Sequence, residues 1–154
     1  MHENRILIHK LKNFENINSN FLIITLMLFG SILLAISAKV QVPFWPVPMT
    51  MQTFVIFLIG MTYSVRLSFA TVAFYLFQGA IGLPVFAAGG GVAYLVGPTA
   101  GYLYGMLFAS IVISYLANLG FSKTYFKATV SLLIGSAIIF SFGIIYLGYI
   151  IGFE

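Results

Sequence analysis

The chain has no cysteine, and its only acids are Glu3, Glu15 and Glu154. Its only histidines, His2 and His9, lie in the polar N-terminal arm. Disulfides, cysteine-ligated metals and thiol nucleophiles are therefore excluded. No carboxylate or imidazole lies inside an apolar segment, which removes carboxylate proton relays, zinc sites and nearly every acid–base mechanism. The chain is expected not to be an enzyme and to carry no cofactor or metal. Charge is also scarce: 6% of residues are charged and 61% are hydrophobic, against about 25% charged in a soluble domain. Such a chain cannot cover a water-facing surface, so it reads as an integral membrane protein. The net charge of +4 sits at segment ends, where it reports topology and does not point to nucleic acid.

What is present is a series of apolar runs. Residues 1–20 form a polar, mildly basic arm, and 21–154 read as a single transmembrane domain. Helices are expected near 21–38, 49–63, 65–79, 98–118 and 128–152. The first run is uncharged and close to the ~20 residues needed to cross a bilayer. It is too long for the apolar core of a signal peptide, so it is expected to be retained. Ser31 and Ala35, four apart, give it a small-residue face. Such faces admit another helix closely, and from the residues alone this one reads as packing within the protein.

Two loops break the pattern. In KVQVPFWPVPMTMQTF, residues 39–54, prolines at 43, 46 and 48 forbid regular helix. The stretch is nevertheless apolar and holds the single tryptophan, Trp45, which serves either as an interfacial anchor or as a ligand-facing aromatic. The second loop lies within QGAIGLPVFAAGGGVAYLVGPTAGYLYG, residues 78–105, which has no charged side chain and eight of the fifteen glycines. An uncharged, glycine-rich loop is expected to fold back onto protein. Pro98 is expected at the first helical position of the next segment. There Gly97, Gly101, Gly105 and Ala109 repeat every four residues as a helix-contact stripe.

Placing the N-terminus in the cytoplasm puts six of seven positive charges inside and leaves Lys39 outside. Both unusual loops then share the outer face with Gln52, Tyr75 and Gln78. A pocket of aromatics, amides and backbone groups on that face suits a flat, mostly uncharged organic ligand. A ligand carboxylate is expected near Thr99 and Gly101 at a helix N-terminus, or on the Gly89-Gly90-Gly91 amides, with Lys39 as the nearby cation.

VPFWPVPMTMQTF, YLFQGAIGLPVFAAGGG and LVGPTAGYLYG also resemble the BioY family, the biotin-binding S components of energy-coupling factor (ECF) transporters. The likeness covers roughly residues 30–150, with Ala100 where a glycine is common. It implies an all-α membrane protein, an S-component-like bundle, that captures biotin from outside at the plasma membrane. It implies work with a transmembrane coupling subunit and ATPase subunits, the chain itself having no P-loop. Small residues of the first helix contact the coupling subunit in that family, which assigns Ser31 and Ala35 to a partner. Side-of-membrane placement and the motif match together give Trp45, Gln52, Tyr75, Gln78, Phe86, Gly91, Thr99 and Tyr102 as ligand-binding candidates. The family's sixth helix carries a PFLPGDxxK motif whose aspartate contributes to binding. This sequence ends before it, so five transmembrane segments of an expected six are present, and Glu154 does not replace the aspartate. An S component for another vitamin and a truncated, non-transporting membrane protein are the competing readings.

Overall fold

A computed structural model of the chain describes residues 19–152. Most of the expected polar arm, and Glu154, lie outside the described residues. The elements are α1 (Ser19–Lys39), a short hairpin of β1 (Gln41–Val42) and β2 (Met49–Thr50), α2 (Gln52–Thr62), α3 (Val65–Ala80), α4 (Val92–Leu95), α5 (Ala100–Asn118), a 3-10 turn (Phe121–Lys123) and α6 (Tyr125–Ile151). An apolar run in lipid must satisfy every backbone polar group internally, which makes the uncharged runs helices. Helix α1 ends at Lys39, whose charge suits the negative end of the helix dipole. Ser64 starts α3 by accepting a hydrogen bond from the Leu67 N–H at 3.4 Å.

Among the described residues three helices are long and apolar enough to cross a membrane: Asn20–Lys39, Ala100–Asn118 and Tyr125–Ile151. Helices α2 and α3 have only 11 and 16 residues. The five expected segments thus comprise three of full length and two shorter ones. Helix α2 starts at Gln52, later than expected, because Met49–Thr50 pair with Gln41–Val42 as a strand. Pro98 precedes α5 instead of opening it: the first helical bonds run from the Tyr102 and Leu103 N–H groups to the Thr99 carbonyl.

Helix α5 is the hub, packing on α2, α3 and α6, while α1 packs on α3 and α2. The small-residue stripe of α5 explains its closeness to α6. Gly101 and Gly105 lie against Tyr146, Phe142 and Ile139. Helix α6 answers with Ser131, Gly135, Ile139 and Gly143, its buried positions at intervals of four. Ile113 rests on Gly135 and the Tyr102 ring on Gly143, so bulky groups from each helix fill notches in the other. Away from the loops, Ser114 donates to the Tyr63 carbonyl (2.6 Å) and Tyr63 to the Leu26 carbonyl (2.9 Å), joining α5 to α1 through the α2–α3 turn.

The face of α1 assigned to a partner subunit turns inward. Ser31 is only 1% exposed and its hydroxyl donates to Oε1 of Gln78 in α3. Ala35 is half-buried and packs against the core. A buried serine hydroxyl needs a hydrogen-bond partner, and Ser31 finds it on α3. What α1 turns outward is Ile24, Leu28, Ile32 and Ile36.

Candidate functional site

The proline-rich and glycine-rich loops meet at one end of the bundle. The Lys39 ammonium donates to the Phe86 carbonyl (2.7 Å), and the Gln41 amide to the Ala87 carbonyl (3.4 Å). Beneath them lies a cavity of about 200 Å³. Val47 to Thr50 form one wall, and Gln52 and Thr53 follow from the first turn of α2. Ala87 and Tyr94 come from the glycine-rich side, Thr99 from the N-cap of α5, and Tyr102, Leu103 and Met106 from α5 itself. Ile139 and Phe140 of α6 close the far side. No lining residue is charged. Apolar walls with a few convergent amide and hydroxyl groups suit a compact organic molecule.

Phe86 anchors the glycine-rich loop. It is 0% exposed, meets Tyr75 edge-on at 5.4 Å and stacks on Tyr94 at 4.8 Å. Its ring lies over Gly79, where a Cβ would stand 2.0 Å from the ring. The loop's amides are taken up by protein carbonyls: Gly91 N–H donates to Gly79 at the end of α3 at 2.7 Å and Gly89 N–H to Phe86 within the loop at 3.4 Å. Gly89 and Gly91 adopt φ of 139° and 105°, the left-handed region that glycine tolerates, so the tight fold needs them as glycines. The anion nest expected on these amides is therefore not formed, since two of its donors are committed to the Gly79 and Phe86 carbonyls. Lys39 is likewise engaged with a loop carbonyl and does not line the cavity.

Gln52, 4% exposed, is the buried polar group of the wall. Its Nε2 donates to the Tyr75 hydroxyl at 2.7 Å and its Oε1 accepts from Thr50 Oγ1 at 3.0 Å. Tyr75 in turn donates to the Val85 carbonyl at 2.9 Å, tying α3 to the glycine-rich loop.

Of the eight expected ligand-binding residues, Gln52, Thr99 and Tyr102 line the cavity. Tyr75, Phe86 and Gly91 stand one layer behind it and hold the loop. Gln78 faces α1, accepting from Ser31. Trp45 is 88% exposed at the tip of the hairpin and does not line the cavity. Sequence reasoning missed Tyr94, Leu103, Met106, Ile139 and Phe140. For Ile139 a signal existed, because it belongs to the stripe of Ser131, Gly135 and Gly143 that marks the α5-facing side.

The BioY family model matches residues 10–154. A probable biotin transporter BioY of Rickettsia prowazekii is 36% identical over 138 residues, 89% of this chain and 71% of that protein. The biotin transporter BioY of Thermotoga maritima is 38% identical over 118 residues, 76% of this chain and 69% of that one. Among solved structures, the S-component for biotin from an ECF-type ABC transporter superposes with a TM-score of 0.76 at 25% identity. That match covers 87% of this chain and 75% of the other. The loop-capped cavity thus lies within a stretch that matches over nearly its whole length, and the chain belongs to the BioY family.

Proposed function

We propose that the chain is a substrate-binding membrane subunit for biotin uptake, itself non-catalytic, working with an ECF coupling subunit and ATPases. The observation that carries this reading is the uncharged cavity under the two loops, formed in a chain whose relatives are biotin transporters. Biotin is a compact bicyclic molecule with one ureido edge and an acidic tail. Apolar walls accommodate its rings, while Gln52, Thr99 and Tyr102 supply hydrogen bonds.

The charge distribution supports capture from outside. Lys39 stands at the loop end, whereas Arg66, Lys123 and Lys127 stand at the turns of the opposite end. Under the positive-inside rule the latter end faces the cytoplasm, as does the N-terminus. The cavity then opens to the exterior of the cell membrane.

Titration of the purified protein with labelled biotin tests the reading. Saturable binding at nanomolar to micromolar concentration supports it. Stronger competition by another vitamin overturns the choice of ligand, and absence of any binding overturns the function. Trp45→Ala is expected to change biotin affinity by no more than about twofold, the size of an exposed substitution without partners. A loss beyond about tenfold in the same titration would return Trp45 to the site.

A further inference from the structure

Tyr75 does not line the cavity, yet its hydroxyl sits between a group that does and the loop that covers it. The proton order of this chain is fixed by elimination. The Val85 carbonyl can only accept, so the Tyr75 O–H donates to it at 2.9 Å. The Tyr75 oxygen then offers Gln52 only lone pairs. The amide must therefore present its NH₂ to Tyr75, at 2.7 Å, and its Oε1 to the Thr50 hydroxyl, at 3.0 Å. One N–H and one carbonyl lone pair of Gln52 remain beyond these bonds. Gln52 and Thr50 both line the cavity.

We propose that Tyr75 is a positioning residue for ligand specificity: it locks the Gln52 amide so that a donor and an acceptor meet the ligand in one fixed order. The complementary ligand group is the edge of a cyclic urea or lactam, where a C=O adjoins an N–H. This rests on the biotin reading, which supplies such an edge in the ureido ring. An amide free to rotate would present either end and accept ligands with the order reversed. A locked amide opposes a donor with a donor, and that mismatch rejects the wrong ligand.

The test compares biotin with its imino analogue, in which the ureido oxygen is replaced by a nitrogen bearing hydrogen. The wild-type protein is expected to favour biotin by about tenfold or more, the effect of one buried hydrogen bond exchanged for an unsatisfied donor. In Tyr75→Phe the ratio is expected to shrink to within about threefold, because the freed amide turns to suit either ligand. A merely structural role would weaken both ligands alike and leave the ratio unchanged. The analogue's own charge acts equally on both proteins. Should Tyr75→Phe fail to fold, Thr50→Val decides, since Tyr75 still fixes the amide there: the wild-type preference for biotin is expected to persist, and its collapse to within about threefold would overturn the role of Tyr75. In Tyr75→Phe, an unchanged ratio with biotin binding intact overturns the role of Tyr75 alone. Wild-type protein that binds no biotin overturns the functional reading and this proposal with it.

Discussion

Replacing Gly79 with alanine is expected to lower biotin affinity about 30-fold or more, a loss near 2 kcal/mol typical of overpacking a closed site. The added methyl would stand 2.0, 2.2 and 2.7 Å from three atoms of the Phe86 ring. A side chain on an open surface would swing aside, but Phe86 is wedged between Tyr75 and Tyr94 and has no exposed surface. Displacing it costs the two aromatic contacts, each worth about 0.5–1.5 kcal/mol. It also shifts the backbone at Phe86 and Ala87, where Lys39 and Gln41 fasten the loop. Ala87 lines the cavity, so the disturbance reaches the ligand directly. Isothermal titration of the variant measures the effect. A second change, Phe86→Leu, supplies a smaller, more adaptable side chain and is expected to recover part of the loss. Full affinity in Gly79→Ala alone would show that the ring has room to move.

Gly101→Ala is expected to damage the same site from the opposite side. Its methyl would lie 2.4 Å from the Tyr146 Cβ and 2.6 Å from the Phe142 carbonyl oxygen. Neither atom is the end of a flexible side chain, so α5 and α6 must separate. The contact lies beside Thr99 at the N-cap of α5 and Tyr102 within it, and one turn from Ile139 and Phe140 on α6, all of which line the cavity. Separation withdraws the wall that α6 provides. The expected stability loss is about 1–3 kcal/mol, and close small-residue contact is what holds helices together where lipid provides no hydrophobic drive. A melting curve in detergent, read beside a biotin titration, distinguishes the two effects. Lower melting temperature and weaker binding together are the expected result. Unchanged values of both would mean that the helices meet less closely than these distances indicate.

The two glycines differ in how visible they were in the sequence. Gly101 belonged to a four-residue repeat, and a repeat at helical spacing predicts a face without knowledge of its neighbour. That face does meet a helix, α6. The same reasoning applied to Ser31 and Ala35 marked a small-residue face, and there Ser31 meets Gln78 of α3; spacing marks closeness and not the identity of the neighbour. That hydrogen bond accounts for Ser31 and Gln78 at once. Gly79 carried no such signal, because its need arises from Phe86, which reaches back over it from the glycine-rich loop. Such loop contacts have no period to read.

The gathering of both loops at one end was expected from charge placement, and two helices, α2 and α3, separate Lys39 from the loop it holds. Side-chain direction within the loops did not follow. The proline-rich stretch became a short hairpin whose register, Gln41 opposite Thr50, turns Val47 to Thr50 toward the cavity. Trp45 is left at the exposed tip. Residue type had left Trp45 as either an anchor or a ligand-facing aromatic, and hairpin geometry decides which side chains face inward. The wall contributed by α6 was hidden for another reason. Ile139 and Phe140 reach the site only because α5 and α6 pack antiparallel along their glycine notches.

The most direct test of the central claim is an experimental structure of the protein with biotin bound. The ligand is predicted to fill the cavity between the proline-rich and glycine-rich loops, with its ureido edge within hydrogen-bond distance of the Gln52 amide and its rings against Tyr102 and Met106. Biotin located elsewhere on the bundle, with this cavity empty, would contradict the account.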